Sequence, residues 1–181
     1  LPGRRELTEE FTLTGIALML SLSATSDQVT PMAVAHHPYW SLGGPHVLQS
    51  QADAYLPVDD VLIPTGEIAR VSGTPLDFTS PRVLPDHIDH NLCWGRKRNS
   101  AAAMATLTGD NAVLQITSNQ PGLQVYSGAG LPTLPGIAPF AGCALEPQIW
   151  PNAINTAHFP DALLQPGATY RYQVGYRFLT A

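Results

Sequence analysis

The chain has 181 residues, of which 13% are charged and 44% apolar, with a formal net charge of −5. That length buries a sizeable core, and that composition excludes a disordered chain. It also excludes nucleic-acid binding, because no cationic cluster stands outside Gly95–Arg98 and phosphate recognition needs several convergent Lys or Arg. The two cysteines, Cys93 and Cys143, lie fifty positions apart and form no CxxC pair. Buried, reduced thiols are therefore expected rather than a disulfide framework or a structural zinc site, with a lean toward a cytoplasmic setting and the periplasm left open.

From the amino terminus, Ile16, Leu18, Leu20 and Leu22 alternate with polar or smaller positions, including Ser21 and Ser23. The run is far too short to span a bilayer, and Glu6, Glu9 and Glu10 do not suit a signal peptide, so it is predicted as a half-buried strand. No membrane association is expected. The first residue is Leu rather than Met, so a processed chain or a piece of a longer one is expected. Glycines (15) and prolines (17) are spread along the chain and punctuate short apolar segments, as at 43–45, 64–66, 73–75, 120–122 and 165–167. Short strands between such turns predict an all-β sandwich or barrel. Segments 112–117 and 123–128 flank a Pro-Gly turn and are predicted as a hairpin or strand pair. At the carboxyl end Tyr170, Tyr172, Val174, Tyr176 and Phe178 alternate with Arg171, Gln173, Gly175 and Arg177, a strand with one dry and one wet face. Residues 99–106 have alanine-based helix propensity but too little length, and no helix of ten or more residues is expected. One domain is expected over 1–181, with oligomeric state open.

Four features bear on chemistry. His87, Asp89 and His90 could ligate a metal, but the related H-x-H-x-D-H pattern is broken by Pro85. Ser127 lacks the preceding glycine of a G-x-S-x-G elbow. Glu146 is an isolated carboxylate among apolar neighbours, either a turn residue near solvent or a desolvated base with a raised pKa. His36 and His37 are adjacent, so on a strand they point to opposite faces and cannot jointly chelate one ion. At most one faces a given cleft, where it could move a proton near neutral pH.

Several motifs occur in an order that resembles the aldose 1-epimerase (galactose mutarotase) family. "HHPYWSLGG" (36–44) resembles that family's N-H-x-Y-F-N-L-x-G, and the segment from Ala52 to Phe78 resembles its long Y-x-P-x-D-x-x-x-I-P-T-G-E-I-x-x-V-x-G-T-P-x-D-F stretch. "DHN" (89–91), "PGLQVYSG" (121–128), "LEPQ" (145–148) and the carboxyl end follow in register, for coverage of residues 10 to 178. The resemblance implies an antiparallel β-sandwich of the galactose mutarotase type, incomplete at its amino end. It further implies a hexose substrate such as galactose or glucose and no metal or organic cofactor. It casts His37 as the acid at ring oxygen O5, Glu146 as the base at the C1 hydroxyl, and Asp89, Gln124 and His36 as sugar contacts. Three departures stand out: His36 replaces an Asn, Pro147 a Thr, and the family's amino-terminal part, with an arginine and a second histidine at the sugar, is missing. A non-catalytic carbohydrate-binding module of the same fold is the alternative expectation, and a metal-dependent hydrolase on His87, Asp89 and His90 a third.

Overall fold

The computed structural model describes residues 1–94, 101–135 and 137–181. The basic tetrapeptide Gly95–Arg98 lies outside the described residues. Fifteen strands follow one another along the described chain: β1 (Arg5–Thr14), β2 (Ala17–Ser26), β3 (Thr30–Pro31), β4 (Tyr39–Trp40), β5 (Val47–Ser50), β6 (Ala54–Tyr55), β7 (Ala69–Arg70) and β8 (Arg82–Val83). They continue with β9 (Asp89–Cys93), β10 (Ala102–Thr108), β11 (Val113–Ser118), β12 (Gly122–Tyr126), β13 (Cys143–Gln148), β14 (Leu163–Leu164) and β15 (Tyr170–Leu179). Among the described residues the helical element is a single 3-10 turn, Ala153–Asn155. None of their helices is long and apolar enough to cross a membrane.

Two antiparallel sheets form a sandwich. The first is ordered β1-β2-β15-β11-β10-β5-β8 and the second β4-β13-β12-β9-β6-β7. Period-two patterning decides what each presents to the other. In the first sheet, Leu18, Tyr176, Ile116, Ala105 and Ser50 are successive cross-strand partners. Leu20 and Val174 form the next row. Leu20, Val174, Tyr176 and Ile116 are almost wholly buried. Against them the second sheet sets Leu145, Val125, Leu123 and Leu92, each at 0% exposure. Burying a side chain of this size contributes about 1.5–3 kcal/mol, and this layer is where the fold gains most of its stability.

The strand expected from Ile16 to Leu22 forms as β2, and its inward row runs on to Ala24, although Ile16 itself sits at the turn and is exposed. The alternating carboxyl strand forms as β15 with the expected faces. The expected hairpin between 112–117 and 123–128 does not form. β11 pairs with β10 and β15 in the first sheet, whereas β12 pairs with β13 and β9 in the second. Pro121-Gly122 is thus a crossover between layers. The space there is tight, because a Cβ on Gly122 would lie 2.7 Å from Asn91 Oδ1 and 2.9 Å from Trp150 Cδ1. The diglycine Gly43-Gly44 has positive φ at both residues, a conformation disfavoured for residues carrying a Cβ. Asp110 and Asn111 close over it, donating their backbone N–H groups to the carbonyls of Gly43 and Leu42 at 2.9 Å each.

One row of the first sheet stays open. Leu7, Phe11 and Leu13 of β1 pair with Ala24, Leu20 and Leu18, so they share the inward face, yet they are 54, 55 and 74% exposed.

Three half-buried histidines add a pH dependence. Burial lowers the pKa of His36 and His46, and of His90 despite the opposing Asp89 charge. His46 Nε2 accepts the Leu42 N–H at 3.1 Å, a bond that the imidazolium could not make. A depressed histidine contributes stability above its unfolded value near 6.5 that is lost as pH falls through the folded value. Thermal melts are expected to drop between about pH 7.5 and about pH 5.5. His46→Gln should flatten that slope, and an unchanged slope would remove His46 from the account.

Candidate active site

The outer face of the second sheet is set by strand register, since directly paired residues point the same way. Glu146 on β13 pairs with Gln124 on β12, which pairs with Asn91 on β9. The next row is Tyr39 on β4, Ala144, Tyr126 and Asp89. The row on the other side is Gln148, Gly122, Cys93, Ala54 and Arg70. The first two rows are mainly polar, whereas Cys93 and Ala54 of the third pack with Leu56, Trp150 and Phe159 in a small second core.

His37 joins this face from a segment that makes no strand ladder, residues 32–38. Its Nε2 lies 3.4 Å from Glu146 Oε1. The imidazole remains 49% exposed and the carboxylate 9%. Burial pushes the Glu146 carboxyl up, nearby His37 pulls it back down, and the Asp89 charge raises it again. The open choice for Glu146 is settled in favour of the desolvated position. A buried acid with one exposed basic neighbour can take a proton without a metal. Gln124 Nε2 donates to Asp89 Oδ1 at 2.6 Å, so the amide and the carboxylate form one unit beside Glu146.

Four of the five expected site residues are thus brought together: His37, Glu146, Asp89 and Gln124. His36 is not among them. Its Nδ1 lies 2.9 Å from the Tyr176 hydroxyl, and its ring meets Phe11 edge-on at 6.3 Å. The adjacent pair splits, as the alternation argument requires, with His36 turned to β15 and His37 to Glu146. The segment carrying them is held by tyrosine hydroxyls of β15. Tyr170 accepts the Val34 N–H at 3.4 Å and Tyr172 accepts the His36 N–H at 3.1 Å.

The proposed metal trio does not converge. Asp89 and His90 are strand neighbours and face opposite sides, with the His90 ring against Tyr55 at 6.0 Å. His87 sits at positive φ with its ring against Phe140. Among the described residues no group of three His, Cys, Asp or Glu side chains could hold an ion. Ser127 is buried and its hydroxyl accepts the Ile88 N–H at 3.1 Å, a structural bond. Both cysteines are free and buried, with thiols pushed up to about 12 by desolvation.

The two aromatics that follow the histidines part in the same way. Tyr39 lies on the polar face, and Trp40 packs inward on Tyr176 and Phe178 at 4.9 and 5.8 Å. Tyr126 and Asn91 escaped notice, although counting by two from Asp89 and Gln124 reaches both.

Residues 1–177 match the family model described as aldose 1-epimerase. The galactose mutarotase of Bos taurus is 38% identical over an alignment 202 positions long, covering 99% of this chain and 59% of that protein. The aldose 1-epimerase of Escherichia coli (strain K12) is 30% identical, covering 98% of this chain and 60% of that protein. The chain therefore spans about six tenths of the length of the curated relatives it matches. Among solved structures, the aldose epimerase homologue from C. elegans superposes with a TM-score of 0.88 at 26% identity, over 99% of this chain and 61% of that one. The galactose 1-epimerase from Lactobacillus acidophilus does so with a TM-score of 0.84 at 27% identity, over 99% and 58%. With its fold and residues 1–177 matched, the chain belongs to the aldose 1-epimerase family.

Proposed function

We propose that the protein interconverts the α and β anomers of a hexose, galactose or glucose, by acid–base ring opening. The observation that carries this reading is the 3.4 Å approach of His37 Nε2 to Glu146 Oε1 beside Asp89 and Gln124. The two oxygens that must exchange protons, O1 and O5, are both bonded to C1. An acid and a base that serve them must therefore stand close together, as these two do.

The Glu146 carboxylate takes the proton from the C1 hydroxyl. The O1 electrons form the C1=O1 double bond, the C1–O5 bond breaks, and O5 takes a proton from the His37 imidazolium. The open aldehyde turns about C1–C2. His37 recovers the O5 proton as O5 attacks the other face of C1, and Glu146 returns its proton to O1. Atoms and charges balance with no cofactor. Asp89 and Gln124 hold sugar hydroxyls. His36, bonded to Tyr176, supports the His37 segment instead of touching sugar. Two buried, unpaired thiols suit a reducing, cytoplasmic setting.

Polarimetry on freshly dissolved α-anomer tests the reading. Wild type should speed the approach to equilibrium, and His37→Asn should lose about 10²-fold or more of that rate. Sugar binding by calorimetry without any acceleration would instead identify a carbohydrate-binding module.

A further inference from the structure

His37 has a positioning problem. Its backbone lies in the unladdered segment 32–38 and its side chain is about half exposed, yet its Nε2 must stay near Glu146. Tyr39 meets this need. The two ring centroids are 5.1 Å apart with the planes inclined by only 36°, so the phenol lies along the imidazole. Tyr39 is itself fixed. Its backbone pairs with Ala144, two residues before Glu146 on the same strand. Its ring meets Tyr126 edge-on at 6.3 Å, and the Tyr126 hydroxyl accepts the Gly130 N–H. A rigid line thus runs from the 128–131 turn through Tyr126 and Tyr39 to the imidazole. Tyr39 is 47% exposed and contributes little to the core, so packing does not account for it.

We propose that Tyr39 is a positioning residue whose ring face holds the His37 imidazole at its working distance from Glu146. The inference rests on the acid role of His37 proposed above. A small loss of alignment at a proton-transfer site is costly, since displacements of about 1 Å remove up to 10²-fold in rate.

The ring, not the hydroxyl, is what this role needs. Tyr39→Phe should therefore keep kcat within about threefold, while Tyr39→Leu should lower it about tenfold to a hundredfold with KM changed by less than about threefold. A second readout is independent of turnover. In the imidazole region of the NMR spectrum, the His37 Cε1–H resonance, assigned by its loss in His37→Asn, should move downfield in Tyr39→Leu as the ring current is removed. It should stay near its place in Tyr39→Phe. Wild-type kcat in Tyr39→Leu, an unmoved His37 resonance, or equal damage from Phe and Leu would each overturn the inference. If His37→Asn itself turns over at the wild-type rate, the acid role is what has failed. If His37→Asn is slow and Tyr39→Leu is not, only the role of Tyr39 has failed.

Discussion

Glu146→Gln is expected to slow mutarotation by about 10²–10⁴-fold, the range that a positioned general base contributes. The substitution is nearly isosteric, so Gln124 and the surrounding strands need not move. What it removes is the one chemical property the reaction needs, an oxygen able to take a proton from O1. KM should change little, because the amide can still hydrogen-bond the sugar. The pH profile carries a further, signed expectation. A base works when ionised, and burial raises the Glu146 pKa by more than the His37 beside it lowers it, with the Asp89 charge raising it further. The acid limb of kcat/KM should therefore fall at a higher pH than an ordinary glutamate near 4.3 would give. Asp89→Asn removes one of the raising influences, so it should move that limb to lower pH. Polarimetric rates measured across the acid range check both statements. An acid limb at the ordinary glutamate value would sink the claim that burial tunes this base.

The largest effect on stability is expected from Tyr176→Ala. Tyr176 is 1% exposed and its ring stacks against Trp40 at 4.9 Å, from the opposite sheet. Emptying a buried aromatic site costs about 3–5 kcal/mol. For a chain of this size that corresponds to a drop in Tm of about 6–20 °C, at roughly 2–4 °C per kcal/mol. Tyr176→Phe keeps the ring and deletes only the hydroxyl that His36 Nδ1 meets at 2.9 Å. Its cost should be about 1 kcal/mol. The pair separates packing from hydrogen bonding, and equal losses in calorimetric melts would refute the division.

Much of this could be read from the sequence, for identifiable reasons. Alternation in β2 and β15 is a local signal, and both strands form with the expected faces. The split of His36 from His37 followed from the same alternation. The Pro121-Gly122 error has a different origin. A turn residue marks where a strand ends and carries no record of which sheet takes the next strand. That choice is made by β13 and β9 gripping β12 on both sides, at sequence distances no local pattern encodes. Glu146 was visible as an isolated carboxylate. Its burial, and the side it faces, needed the register with Gln124. Tyr39 was legible as an aromatic, and its bearing on His37 depended on a ring-to-ring approach that only the folded chain defines.

The position of β15 has a consequence for how the protein is made. In the first sheet β15 lies between β2 and β11, so the β1–β2 hairpin joins the other strands through it. The hairpin is among the first segments synthesised in this stretch and β15 the last. Until Tyr170–Leu179 leaves the ribosome, the hairpin has no seat, and the hydroxyls of Tyr170 and Tyr172 cannot take the N–H groups of Val34 and His36. Folding must therefore wait on contacts between distant parts of the chain, a topology that folds slowly. A chain stopped before Tyr170 should present Leu20 and Leu22 to chaperones, whatever the state of the second sheet.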